Sequence, residues 1–379
     1  MNRKIETAIV VAPRIWKSSK NYHNSIEEIS LLISTLGVKV KGVVEQKINT
    51  INPTYFIGSG KAKQVIEQAK MLGVDYIIFD EDLSPVQTKN FQKLNKDIKL
   101  LDRPGVILEI FFRNAKSKES KTQVELARLQ YQLPRLTRLW THLERQMGGF
   151  GTRAGAGETQ IEVDRRIIRK KISLLKKKLK SIDSERQVQS KKRKSFFRTS
   201  FVGYTNVGKS SLMKSVTKSD VLIRNQLFAT LDTTVRRLFI GDNNYVLLSD
   251  TVGFIRNLPD NLIASFKSTL QEVVDSNLLL IVLDANSQDL FNEIETIKSV
   301  LKEINANEID YKYVFNKIDR LDEDGNESLK EKIKQFGGFM TDSLVSISSK
   351  DEVNIDQLNQ IILKHIDTSY NRVMEYTVY

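Results

Sequence analysis

Over the first hundred residues, short apolar runs alternate with stretches of helical period. AIVVAP (8–13), VKVKGVV (38–44), DYIIFD (75–80) and IKLLD (98–102) are rich in β-branched and aliphatic residues and predict strands. Between them, Ile26, Ile29, Ile33 and Leu36, then Val65, Ile66, Ala69 and Leu72, recur at the spacings of a helix with one apolar face. Strand and helix in alternation predict a small α/β domain with a largely parallel sheet over residues 1–105. GSGK (58–61) lacks the spacing and the following Ser/Thr of a phosphate loop and is expected to be a turn.

The period then changes. Leu126, Leu129, Leu133, Leu136, Trp140 and Leu143 advance in alternating steps of three and four, and Ile161, Ile168, Ile172, Leu175, Leu179 and Ile182 form a second such seam. Pro134 should kink or split the first. Between the seams lies MGGFGTRAGAGE (147–158), so residues 106–195 are expected to form an antiparallel helical hairpin with a glycine-rich tip at 148–157. The tip carries no catalytic pair. Gly148, Gly149, Gly155 and Gly157 allow close backbone approach and Arg153 supplies a cation, a composition suited to contact with folded RNA.

Charge sharpens that reading. The formal net charge of the 379-residue chain is +13. Between Arg165 and Arg198 there are fifteen Lys/Arg against two acids, so this one stretch holds the entire excess, as a surface facing a polyanion would. With no cysteine, disulfides and thiolate chemistry are excluded, and the three histidines (His23, His142, His365) have no metal-ligand spacing. The longest apolar run, Leu278 to Leu283, is too short to span a membrane. A cytoplasmic, monomeric protein is expected.

The most specific chemistry begins at residue 203. GYTNVGKS (203–210) satisfies G-x-x-x-x-G-K-[ST] between a strand candidate (Arg198 to Val202) and a helix. Such a loop turns successive backbone N–H groups onto a polyphosphate at a helix N-terminus; Lys209 can neutralise phosphate oxygens and Ser210 can ligate Mg²⁺. YVLLSD (245–250) runs into DTVG (250–253), where Asp250 can hold Mg²⁺ through water and Gly253 can present its N–H to a γ-phosphate. In YVFNKID (313–319), Asp319 can accept from the two guanine donors that adenine lacks, Lys317 can lie along the purine and Asn316 can brace the loop. Backbone N–H groups of VSISS (345–349) can meet guanine O6. These motifs predict a P-loop GTPase domain over 196–366, with helical patterns at 259–275, 289–304 and 354–366 and a short tail at 367–379.

Within NQLFATLDTTVRR (225–237), Thr230, Thr233 and Thr234 are each able to serve as the switch threonine, and spacing does not choose among them. Phe254 follows DTVG where many GTPases carry a water-orienting glutamine, which predicts slow hydrolysis without a partner and leaves the catalytic group unassigned. FATLDTTVRR, DTVGF and GGFGTRAGAGETQIEVDRR (148–166) together resemble the HflX-type GTPases of the Obg-related group, over nearly the whole chain. The resemblance implies an α/β amino domain, a helical hairpin and a GTPase domain. It also implies binding of GTP and GDP and of the 50S subunit, with the tip near the peptidyl-transferase region, and splitting of stalled or stressed 70S ribosomes. It selects Thr230, with Ser210, as the Mg²⁺ ligands. The candidate GTP-binding set is Gly203, Tyr204, Thr205, Asn206, Val207, Gly208, Lys209, Ser210, Phe228, Ala229, Thr230, Leu231, Asp232, Asp250, Thr251, Val252, Gly253, Asn316, Lys317, Ile318, Asp319, Ser346, Ile347 and Ser348. The competing reading is an RNA-binding large-subunit assembly factor that uses GTP as an occupancy sensor.

Overall fold

The computed structural model describes residues 5–15, 22–136, 160–191, 196–218, 227–240, 245–255, 267–335 and 344–376. The chain divides into two compact units, residues 1–182 with 259–265, and residues 183–258 with 266–379.

In the first unit, strands β1 (Thr7–Ile15), β2 (Lys39–Ile48), β3 (Tyr76–Phe79) and β4 (Lys99–Asp102) form a four-stranded sheet in the order β2-β1-β3-β4. Every pairing is parallel, as the alternation predicts. Helices α1 (Tyr22–Thr35), α2 (Ser59–Met71) and α3 (Pro85–Leu94) are the crossovers, and α4 (Arg103–Asn114) follows β4. Strand β1 is central and apolar on both faces: Ala8 to Ala12 are all within 1% of full burial. GSGK is not a free turn. Gly58 is the N-cap of α2 and the next three residues are its first turn. The pattern reading passes over α3 and α4, and α4 begins inside residues 1–105 and ends outside them, with Val106, Ile107, Ile110 and Phe111 buried.

Helix α5 (Lys118–Gln132) ends in a short 3₁₀ turn, Leu133–Arg135, so the helix breaks at Pro134. The second seam lies on α6 (Gln160–Lys191). The two meet where Leu126 and Leu129 pack with Leu175, flanked by Ile168, Ile172 and Leu179. Trp140, Leu143 and the whole tip, including Gly148, Gly149, Arg153, Gly155 and Gly157, lie outside the described residues. Along α6, Arg165, Arg169, Lys170, Lys176, Lys177 and Lys178 are exposed.

In the second unit, β5 (Arg198–Gly203), β6 (Thr234–Phe239), β7 (Tyr245–Asp250), β8 (Leu278–Asp284), β9 (Tyr311–Asn316) and β10 (Leu344–Ser346) form a six-stranded sheet ordered β10-β9-β8-β5-β7-β6. All pairings are parallel except the edge hairpin of β6 with β7. Helices α7 (Lys209–Thr217), α8 (Lys267–Val274), α9 (Leu290–Glu303), α10 (Glu323–Gln335) and α11 (Ile355–Tyr376) complete the domain. Helix α11 continues ten residues beyond 366, where the pattern reading placed its end. No described helix is long and apolar enough to cross a membrane.

Candidate nucleotide site

The loop after β5 fixes the site. Gly203 (φ +154°) and Gly208 (φ +95°) hold backbone conformations that side chains rarely adopt. A Cβ on Gly203 would stand 2.2 Å from the Val282 carbonyl oxygen, and one on Gly208 would stand 2.3 Å from Asn316 Nδ2. Glycine is therefore needed for the loop to close against the neighbouring strands. Lys209, buried at the start of α7, donates to the carbonyls of Gly203 (3.0 Å) and Tyr204 (2.6 Å). Burial lowers its pKa to about 8, aided by the Lys317 charge and opposed by Asp250. An anion beside this desolvated ammonium would be bound strongly.

Three oxygens from three segments converge next to it. Ser210 Oγ donates to Asp250 Oδ2 at 2.6 Å, Thr230 Oγ1 donates to the same oxygen at 3.2 Å, and the two hydroxyls are 2.9 Å apart. Spacing left three threonines open, and it is Thr230 that sits beside Ser210. Asp250 is buried, which raises its pKa, while Lys209, Ser210 and Thr230 act against the rise. Its Oδ1 is buried and has no hydrogen-bond partner among the described residues. Oxygens in adjacent positions of an octahedral Mg²⁺-like ion, with bonds of about 2.1 Å, stand roughly 3 Å apart. The 2.9 Å between the Ser210 and Thr230 hydroxyls suits two direct ligands of a small divalent cation, and the unpaired oxygen of Asp250 beside them suits a contact to it through water.

The other end of the site is built from β9, β10 and their loops. Asn316, fully buried, donates to Val207 O (2.8 Å) and accepts from Ser349 N (3.0 Å), so one amide joins the P-loop to the β10 loop. Lys317, at φ +67°, donates to Asn206 O and to Asp284 Oδ2, each at 2.7 Å. Ser348 Oγ donates to Asp319 Oδ1 at 2.7 Å, which orients that carboxylate.

These groups border a cleft of about 480 Å³. Among its walls are Thr205, Asn206, Gly208, Lys209, Ser210, Phe228, Ala229, Thr230, Thr251, Gly253, Asn316, Lys317 and Asp319, all anticipated from the motifs. Ser349, the last residue of VSISS, also lines it, as do Ser211, Lys214, Ser215, Arg320, Lys350 and Glu352, which were not anticipated. By contrast Val207, Leu231, Val252 and Ile347 turn their side chains into the core. Ser346 ends β10, and Ile347 spends its N–H on Phe315 O and its carbonyl on Ile318 N. The cleft residues of VSISSK are Ser349 and Lys350, one turn later than Ser346 and Ile347, because the strand must end before the backbone can face the cleft. The serine-rich run ahead of Lys350 was the available signal.

Phe254 is buried, and its backbone is paired with the P-loop on both sides. Its N–H donates to Gly203 O (2.9 Å) and its carbonyl accepts from Thr205 N (2.8 Å). Its ring has no means of orienting water.

Three family models cover most of the chain: "GTP-binding GTPase N-terminal" at 23–112, "GTP-binding GTPase Middle Region" at 114–193, and "50S ribosome-binding GTPase" at 198–317. The chain is 47% identical over 303 residues to GTPase HflX of Flavobacterium psychrophilum, covering 80% of this chain and 73% of that one. It is 42% identical over 320 residues to GTPase HflX of Escherichia coli, covering 84% and 74%. The crystal structure of the SsGBP–GDP complex matches with a TM-score of 0.52 at 26% identity, covering 95% of this chain and 98% of that one.

Proposed function

The chain belongs to the HflX family of GTPases, and from that premise we propose that it is a Mg²⁺-dependent, ribosome-associated GTPase that binds the 50S subunit and separates stalled or stressed 70S ribosomes. GTP hydrolysis follows from the family and the P-loop fold. The observation that carries the cation-dependent part is the meeting of Ser210, Thr230 and Asp250 at 2.6–3.2 Å. Because Thr230 comes from the segment between α7 and β6, this arrangement ties a switch segment to the phosphate end of the cleft.

In this reading the loop from Gly203 to Ser210 cradles the phosphates and Lys209 gains an anionic partner. Ser210 and Thr230 would hold Mg²⁺ directly and Asp250 would hold it through water. When bound, the ion supplies charge neutralisation between the phosphates. Asp319 reads guanine, held by Ser348. No side chain is assigned as general base. The buried Phe254 leaves water positioning to a partner, so turnover by the isolated protein is slow. The description of the matching family model as a 50S ribosome-binding GTPase and the exposed basic face of α6 support the ribosome as that partner. Residues 1–105, 106–195 and 196–366 are then a platform, an RNA-reaching arm and a switch, acting in the cytoplasm as a monomer.

The test is GTP turnover by the purified protein alone and with 50S, 70S or naked RNA, followed by light scattering of 70S particles. Stimulation by 50S or 70S with a fall in scattering is expected. Stimulation confined to immature particles would favour the assembly-factor reading, and no response to either class of particle would overturn ribosome dependence.

A further inference from the structure

Asp284 belongs to none of the sequence motifs, yet it holds one of their residues. It is the last residue of β8, in register with Asn316 at the end of β9, so the two strands deliver their loops to the same end of the sheet. Its Oδ2 accepts from Lys317 Nζ at 2.7 Å, and its Oδ1 accepts from Asn286 N at 3.1 Å. Ala285 N donates to Asn316 O at 2.8 Å. The Lys317 ammonium also donates to Asn206 O, across on the P-loop.

An ammonium is a point charge on a flexible stem and does not set its own direction; its acceptors do. Here two acceptors from different loops draw the Lys317 stem taut from a left-handed backbone position. With side chains only 15% and 23% exposed, Lys317 and Asp284 form a pair better shielded than a surface ion pair. We infer that Asp284 is a positioning residue for guanine recognition: it fixes the Lys317 stem as the wall against which the purine packs, and it joins β8 to the base site. The inference rests on the assignment of Asn316, Lys317 and Asp319 as the guanine site. It acts on the base and not on the phosphates, so GDP and GTP are affected equally. A purely electrostatic role predicts the opposite, because removing a carboxylate near the cleft would tighten the more highly charged nucleotide more.

The experiment is a double-mutant cycle read by calorimetric titration of GDP and GTP into the full chain, using D284A, K317A and D284A/K317A. D284A is expected to weaken both nucleotides roughly tenfold, the scale of one missing charge-assisted hydrogen bond. D284A/K317A is expected to match K317A, because Asp284 has no effect without the lysine. D284N keeps the acceptor for Asn286 and serves as the second variant should D284A fail to fold; its expected loss is smaller and equal for the two nucleotides. Affinity unchanged in D284A and D284N, losses that multiply in the double variant, or a selective gain for GTP would overturn the inference. Wild-type protein that binds GDP with K317A unaffected would instead overturn the assignment of the guanine site itself.

Discussion

Gly208 shows how narrowly the nucleotide cradle is specified. Its φ of +95° and the 2.3 Å approach that a Cβ would make to Asn316 Nδ2 leave no room for alanine. Asn316 cannot retreat cheaply, since it is fully buried and holds both Val207 O and Ser349 N. Gly208→Ala is therefore expected to cost about 2–4 kcal/mol of stability, by forcing a strained backbone and breaking a buried hydrogen bond. It should also abolish GDP binding; thermal unfolding and GDP titration check the two effects separately. Such residues were legible in the sequence because phosphate and guanine chemistry fixes residue type and spacing together. Asp284 was not legible, because nothing local distinguishes an aspartate at a strand end that holds Lys317 from one that faces water. Only the register of β8 and β9 decides it.

At the scale of elements, the first four strands, α1, α2 and the two seams could be read because burial imposes a period on them. Strand β6 could not: it is an edge strand in which only Leu238 is buried, and Arg236, Arg237 and Phe239 are exposed. Helix α10 is polar along most of its length, with Leu329 its deeply buried residue, so it shows little apolar stripe. What no periodicity reveals is the polar hub at the end of β4. Asp102 N-caps α4 through Gly105 N and accepts from Leu83 N and Tyr131 OH. Arg135, from the turn that ends α5, adds bonds to Asp102 Oδ2, Asp82 Oδ1 and Leu83 O, and its guanidinium stacks 3.9 Å over Tyr131. Arg135→Ala leaves the buried Asp102 carboxylate without its cation and should destabilise the first unit by about 3–5 kcal/mol. A lowered unfolding midpoint with nucleotide affinity retained is the expected pattern. Glu81, two residues beyond β3, tests the same region by pH. Burial first, then Asp80 and Asp82, raise its pKa from 4.5 to about 7, against the pull of Arg103. An acid whose folded pKa is raised adds stability that is full below pH 4.5 and lost as pH climbs through 7. Glu81→Gln should thus match the parent at pH 4.5 and exceed it at pH 8 by about 1–3 kcal/mol, in denaturant titrations at both values.

For the whole molecule, the decisive quantity is where the charge sits. The net +13 is carried by residues 165–198, and residues 165–185 of that stretch lie on a helix with one face against Leu126 and Leu129 and most of its basic residues exposed. Lys171 is an exception, spent on Glu125 at 2.6 Å. If that basic face and the KKRK run at 191–194 lie along ribosomal RNA, each phosphate they neutralise releases counterions, and association must weaken with salt in proportion to how many phosphates are neutralised. Replacing Arg169, Lys170, Lys176 and Lys177 with Gln removes exposed cations without touching the seam or the nucleotide cleft. Ribosome pelleting over a range of salt should then give a log–log slope shallower by about 0.9 for each phosphate left unneutralised, with the affinity for GDP unchanged. The same measurement on a Lys191, Lys192, Arg193 and Lys194 to Gln variant locates the RNA along the stretch. A slope that moves in one variant and not the other assigns the RNA to that end. An unchanged slope in both, with ribosome binding intact, would take the basic stretch out of the interface and leave the glycine-rich segment at 148–157 to account for it.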